Sequence, residues 1–141
     1  MRFMVMVKAT KDSEAGKMPS QELLAAMAKF NEELVKAGVM LDGNGLQPSS
    51  KGARVRFSGD KRTVIDGPFA ETKEVVGGFA VFEFNSREEA IESAVNFMEL
   101  HKQHWPGWDG ETEVRQIFGP EDISSENVGA KVRQMCETGP A

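Results

Sequence analysis

Short runs that are apolar on both faces predict two central β-strands, one at the start of the chain and one near residue 80. The strand over residues 2–9 is apolar on both faces, with Phe3, Val5 and Val7 on one face and Met4 and Met6 on the other. A second such strand runs from Phe79 to Phe84, with Phe79 and Val81 opposite Ala80, Phe82 and Phe84. Strands that are apolar on both faces need cover on both sides, so we expect both to be central in a sheet.

Two amphipathic helices follow from apolar residues at helical spacing. Ser20 can cap the first, which contains the apolar positions from Leu23 to Val35 and ends before Gly38. Ser86 and Glu89 form a capping-box pattern at the start of the second, which we expect to reach about His101. Both helices should pack an apolar stripe against the sheet.

The remaining segments complete an α+β arrangement. Residues 39–51 are rich in Gly, Asn, Pro and Ser and are predicted to form a long functional loop. A hairpin is expected from strands at 54–57 and 63–65, and a last strand at 114–118. The order predicts a ferredoxin-like β-α-β-β-α-β sheet with an extra hairpin, forming one domain over 1–118. The polar tail 119–141 should carry a short amphipathic helix after Ser125.

Two helices cannot cover both faces of such a sheet. The apolar side chains that would crowd the two faces are Met4, Met6, Ala80, Phe82 and Phe84. An exposed apolar sheet face is an interface or a liability. We therefore predict a homodimer whose subunits pack sheet against sheet, and we expect Phe82 to lie in that interface.

Composition narrows the function classes. The 141 residues carry a net charge of −5, which argues against a nucleic-acid partner because such binding needs an excess of Lys and Arg. A single cysteine, Cys136, suits a reducing cytoplasm. No apolar run approaches the ~20 residues needed to cross a bilayer, so no membrane association is expected. We find no phosphate-loop or dinucleotide pattern and expect no cofactor.

Residues 63–78, TVIDGPFAETKEVVGG, resemble the motif of the DGPFAETKE proteins, a branch of the YCII-related superfamily. The resemblance rests on Asp66 to Glu74 and extends through Leu46-Gln47-Pro48-Ser49, covering about residues 1–118. It implies a dimeric α+β barrel with a pocket whose substrate is unassigned, and a genetic context beside extracytoplasmic-function sigma factors. It also matches Asp66 to the Asp of a proposed His–Asp pair. No histidine here matches, because the family's segment after the second helix differs from residues 101–108.

Asp66 allows two interpretations. Before Gly67 and Pro68 it suits a turn, in which Asp accepts backbone hydrogen bonds and Pro restricts φ. In the second interpretation, residues 66–74 line a cleft and the Asp66 carboxylate is mostly buried beside Phe69, where it could act as a general acid or base. We predict a substrate pocket formed by residues of the motif and of the 42–49 loop, namely Gly67, Pro68, Phe69, Glu71, Lys73, Gly45 and Leu46.

The histidines and tryptophans do not identify a functional site. His101 and His104 can share a helix face, but three or four ligands are normally required for a metal, so we predict no metal site. Trp105 and Trp108 fit either core packing or an interface.

The sequence is compatible with two functions. One is a small-molecule-binding protein or acid–base enzyme that uses Asp66. The other is a non-catalytic dimeric interaction or regulatory module. A cleft at the motif would favour the first, and a flat motif with exposed Trp105 and Trp108 would favour the second.

Overall fold

The computed structural model describes residues 1–71 and 74–122 of the chain. The elements in these ranges are β1 (Arg2–Lys8), α1 (Lys11–Glu14), α2 (Gln21–Lys36), β2 (Met40–Gly45), β3 (Ala53–Ser58), β4 (Lys61–Asp66), β5 (Val76–Glu83), α3 (Arg87–His104) and β6 (Thr112–Gln116). Two short 3-10 turns lie at Ser49–Lys51 and Pro120–Asp122. The predicted helix after Ser125 falls outside the described residues.

Strands β2, β5, β1 and β6 form, in that spatial order, an antiparallel four-stranded sheet. The hairpin β3–β4 forms a separate two-stranded sheet inserted between β2 and β5 in the chain. Without the hairpin, the order of strands and helices is that of the ferredoxin-like fold. The predicted α+β ferredoxin-like sheet with an extra hairpin is therefore confirmed.

The core lies between one face of the sheet and the helices α2 and α3. Phe3 and Phe82 are cross-strand partners on this face, and both are buried. Leu23 of α2 and Ala94 of α3 are buried from the helix side. The two helices also touch each other through the rings of Phe30 and Phe97, whose centroids are 5.8 Å apart.

Side-chain caps begin both long helices where the sequence predicts. The Ser20 hydroxyl accepts a hydrogen bond from the Leu23 N–H, and the Ser86 hydroxyl accepts one from the Glu89 N–H. The Glu89 carboxylate in turn accepts from the N–H of Asn85, one residue before the cap. These bonds satisfy backbone donors that the first turn of a helix leaves free.

One segment differs from the sequence prediction. Residues 39–51 were expected to be a loop, but Met40–Gly45 is the edge strand β2, which pairs with β5. This strand has low intrinsic strand propensity, because it contains Gly43, Asn44 and Gly45, so the sequence does not predict it. Backbone hydrogen bonds to β5 stabilise it instead. Only the second half of the segment, from Leu46 onward, runs outside the sheet.

The opposite face of the sheet carries the apolar side chains Met4, Met6, Phe79 and Val81. Cross-strand pairing places Met4 beside Val81 and Met6 beside Phe79. These residues are only partly buried in the single chain. Phe82 lies on the other, helix-covered face, so its expected position in a sheet-to-sheet interface is wrong. Alternation along β5 explains the correction, because Val81 and Phe82 must point to opposite faces.

No helix of the described residues is long and apolar enough to cross a membrane.

Candidate functional site

The motif that begins at Asp66 forms a turn at the end of β4. Gly67 and Pro68 are joined by a cis peptide bond, and Phe69 follows with its side chain partly buried. The turn lies against the segment that leaves β2, because the Gly67 N–H donates a hydrogen bond of 2.9 Å to the carbonyl of Gly52. The two ends of the hairpin are thereby closed onto each other.

Gly67 approaches the backbone of Ser49 so closely that no side chain fits. A Cβ atom on Gly67 would lie 1.7 Å from the Ser49 carbonyl oxygen and 2.6 Å from the carbonyl carbon. Real Cβ atoms do not make such contacts with backbone, so the turn can keep this position only with glycine. The glycine of the motif is thus required by close approach of two backbones.

Ser49 links three separate segments of the chain. It is buried, with 7% of its surface exposed. Its N–H donates to Glu14 Oε1 at 2.9 Å, and its hydroxyl hydrogen-bonds to Oε2 of the same carboxylate. The same hydroxyl accepts a bond of 3.0 Å from the Phe69 N–H. Glu14 at the end of α1 therefore fixes Ser49, and Ser49 fixes the position of Phe69.

A cavity of about 400 Å³ opens beside this turn. Its walls are mainly apolar, formed by Leu46, Pro48, Phe69, Val75 and Val76, with Gln47, Ser49 and Gly52 between them. Three charged residues also line it: Lys51, Arg54 and Glu74. The guanidinium carbon of Arg54 lies 3.9 Å from the centre of the Phe69 ring, a cation–π contact.

The structure places only some of the predicted pocket residues at the cavity. Leu46 and Phe69 line the cavity, while Gly67 supports it through the contact with Ser49. Gly45, Pro68 and Glu71 are exposed and are not among the lining residues. Lys73 lies outside the described residues.

Asp66 is exposed, so the expectation that its carboxylate is mostly buried is wrong for the single chain. Cross-strand pairing with Ala53 puts it on the ribbon face that also carries Val55 and Val64. Arg54, one residue from Ala53, is on the opposite face and lines the cavity. Within the described ranges the Asp66 carboxylate has no hydrogen-bond or ion-pair partner, so the capping role of a turn Asp is not seen either.

The histidine and tryptophan segment is packed at the end of α3. His101 lies between two rings, with centroids 4.9 Å from Phe97 and 4.8 Å from Trp108. Its Nδ1 donates to the Phe97 carbonyl at 3.0 Å. Trp105 and Trp108 are partly buried. Among the described residues, no group of three metal-ligating side chains comes together.

Sequence reasoning missed Glu14, Ser49 and Arg54. Ser49 belongs to the Leu46–Ser49 stretch that supported the resemblance, so a signal existed for it without a role. Glu14 gave no signal, because it lies in a polar segment without apolar periodicity and contacts Ser49 across 35 positions. Arg54 alternates with apolar residues as any exposed strand charge does, and only the folded turn brings Phe69 beneath it.

Comparison with known proteins gives a family match, a related sequence and a similar solved structure. The model of the YCII-related domain matches residues 1–98. An uncharacterised protein of Rhizobium meliloti (strain 1021) is 32% identical over 78 residues, and this match spans 55% of the chain and 63% of that protein. Among solved structures, the chain resembles the 5-chloro-2-hydroxyhydroquinone dehydrochlorinase of Burkholderia phenoliruptrix AC1100, solved with 2,5-dihydroxybenzoquinone, at 17% identity and a TM-score of 0.47. That match covers 84% of this chain and 95% of the dehydrochlorinase.

Proposed function

This chain belongs to the YCII-related domain family, and we propose that it binds a small organic molecule in the cavity beside Phe69. The observation that carries the proposal is the cavity itself, about 400 Å³ in volume with mainly apolar walls. Small-molecule sites are typically concave, mostly apolar and about 300–1,000 Å³ in volume, with a few polar groups that orient the ligand. We also propose that the chain belongs to the DGPFAETKE branch, and the residues Asp66 to Glu74 support this proposal.

A binding site needs walls of fixed geometry, and the Ser49 contacts supply them. Phe69 is held by its own N–H, while Gly67 rests on the Ser49 backbone. The Ser49 hydroxyl, itself bound to the Glu14 carboxylate, and the Ser49 carbonyl group both act on backbone atoms of the motif, so the turn that carries the Phe69 ring is fixed at two points. A wall fixed before the ligand arrives reduces the entropy lost on binding.

Acid–base catalysis by Asp66 is a second candidate function. It is supported by the position of Asp66 at the end of β4, immediately before the turn that leads to Phe69. Because this carboxylate is exposed in the single chain, the role requires cover from the substrate or from a second subunit. If Asp66 transfers a proton, Asp66→Asn should lower the turnover of the identified substrate by about 10²–10⁴-fold without changing its binding. Unchanged turnover would make Asp66 structural.

We further propose that two chains associate through the open sheet face of Met4, Met6, Phe79 and Val81. Partly exposed apolar residues on two neighbouring central strands support this, since burying each large side chain contributes about 1.5–3 kcal/mol. If the chain forms this dimer but binds no ligand, its function is that of an interaction or regulatory module. The packed Trp105 and Trp108 and the cavity at the motif both favour ligand binding over that alternative.

The binding proposal is tested by titrating the ¹⁵N-labelled protein with indole, a neutral aromatic probe, and following the backbone amide signals by NMR. We expect shifts that cluster at residues 46–54 and 69–76. Leu46→Glu places a charge in the cavity wall and should abolish these shifts. Leu41→Glu is the matched control, because Leu41 and Leu46 are similarly exposed (52% and 49%) and only Leu46 lines the cavity. Shifts that avoid the cavity, or that survive Leu46→Glu, would contradict the proposal.

A further inference from the structure

The structure assigns Arg54 as the residue that recognises an anionic group on the ligand, so that the preferred ligand is a small apolar or aromatic molecule carrying a carboxylate or similar anion. This inference rests on the proposed function and specifies the substrate class of the same cavity. It concerns a residue that lies outside the motif and on the opposite face of the ribbon from Asp66.

The charges around the cavity favour an anion. Lys51 and Arg54 are its two cationic lining residues, and Glu74 is its one acid among the lining residues that the structure describes. Neither cation forms an ion pair with another described residue. The described lining residues therefore carry one more positive than negative charge, whereas the chain as a whole has a net charge of −5.

Arg54 is oriented before any ligand binds. Its guanidinium carbon lies over the Phe69 ring, 3.9 Å from the ring centre, so the aromatic wall supports the cation. A guanidinium has five N–H donors, and those of Arg54 have no acceptor among the described residues. A carboxylate can accept two parallel hydrogen bonds from a guanidinium.

Phe69 thus has two functions in the same contact. Its ring supplies an apolar wall of the cavity and also supports the guanidinium, while its N–H is fixed by Ser49. A ligand whose apolar body lies near Leu46 and Val76 would bring an anionic substituent towards Arg54. A neutral ligand of equal size would make the apolar contacts alone.

The test compares benzoate with benzamide, which have nearly the same shape and differ in charge. Dissociation constants are measured by NMR titration at low ionic strength, with the shifts mapped to the cavity. Because hydrogen bonds to charged groups are the stronger class, we expect the wild-type protein to bind benzoate about tenfold to a hundredfold more tightly than benzamide. Arg54→Gln should bind the two probes alike.

Arg56→Gln is the matched control. Arg56 lies two residues further along β3, on the same ribbon face, and does not line the cavity. Arg56→Gln removes the same charge as Arg54→Gln, and this variant should keep the wild-type preference for benzoate. Because both arginines are exposed, both variants should fold, which their NMR spectra will verify.

The possible results separate the two claims. If both probes bind the wild-type cavity equally, or if the preference for benzoate survives Arg54→Gln, the role of Arg54 is wrong and the binding cavity stands. An equal loss of preference in Arg56→Gln would show an effect of net charge only and would likewise overturn it. If neither probe shifts the cavity signals, the anion site and the proposed binding function both fail.

Discussion

At the scale of single residues, two contacts with Ser49 determine where the motif turn lies. Gly67 touches the Ser49 carbonyl at a distance that excludes any Cβ, and the Ser49 hydroxyl holds the Phe69 N–H. Neither contact involves the acidic residues that make the motif recognisable in the sequence. The motif therefore contains residues that build the wall of the cavity as well as residues free to act in chemistry.

Gly67→Ala should destabilise the protein, because the new methyl group would meet the Ser49 carbonyl oxygen at 1.7 Å and force the two backbones apart. Overpacking of this kind typically costs about 1–3 kcal/mol. Urea unfolding gives the change in the free energy of unfolding. Gly52→Ala in the same contact layer is the control, since its Cβ would come no closer than 3.5 Å to the Ser49 carbonyl oxygen. Equal stability of Gly67→Ala and wild type would refute the close approach.

Ser49→Ala should also lower stability, by about 1–3 kcal/mol, because it leaves the Phe69 N–H and the Glu14 carboxylate without their shared hydroxyl. The neighbouring Ser50 is exposed, so Ser50→Ala should change stability by less than about 0.5 kcal/mol. Thermal and urea unfolding of the two variants provide the comparison. A Ser49→Ala protein as stable as Ser50→Ala would mean that the link from Glu14 to the motif contributes nothing.

Asp66 shows which features of the site can be predicted from the sequence and which cannot. Asp-Gly-Pro is turn chemistry and predicts the turn that follows β4, and Phe69 comes directly after that turn. The side of the ribbon on which Asp66 falls depends on its register with Ala53, and register depends on where the hairpin turns. A shift of one residue reverses every side chain, so the sequence alone could not decide its burial.

At the scale of secondary structure, periodicity predicted the elements that bury a face and missed the one held by pairing. Strand β1 and helices α2 and α3 have regular apolar spacing, and the structure contains all three. Strand β2 has no such spacing over Asp42 to Gly45. Its position beside β5 comes from backbone hydrogen bonds, which carry no signature in side-chain pattern.

The hairpin β3–β4 should be the least protected pair of strands in the described part of the molecule. It is a two-stranded ribbon, its residues other than Ile65 are exposed, and Phe57 is 73% exposed. Isolated two-stranded hairpins are marginally stable. Amide hydrogen exchange should therefore be at least about tenfold faster in its ladder than in the β1–β5 ladder.

Protection equal to that of β1 would contradict this expectation. It would show that the apolar ribbon face of Val55, Phe57 and Val64 is covered by another molecule in solution. Comparing exchange at two protein concentrations separates such association from intrinsic stability of the ribbon.

At the scale of the whole molecule, the sheet has one face covered by helices and one face open. Phe82 belongs to the first face and Val81 to the second, although they are adjacent in the chain. Substitution of these two residues by the same charged side chain should therefore have different consequences. One change affects folding, and the other affects association.

Wild-type protein should have twice the 15.5 kDa chain mass in multi-angle light scattering. Val81→Asp should give a folded monomer, because it places a charge in the proposed interface. Phe82→Asp should unfold the chain, because it buries an unpaired charge in the core. Val35→Asp, on the exposed side of α2, is the control and should remain dimeric. A wild-type monomer, or a dimeric Val81→Asp protein, would show that the open sheet face is not the interface.

The proposed function depends most on whether the cavity beside Phe69 receives a small molecule. A crystal structure of the wild-type protein soaked with indole tests this directly. We predict electron density for the ring between Leu46, Phe69 and Val76, with the Gly67 turn and the Ser49 contacts unchanged. Crystals of Leu46→Glu should lack that density, and crystals of Leu41→Glu should show it. Indole bound only elsewhere, with the cavity left empty or filled by the chain's own side chains, would contradict the central claim.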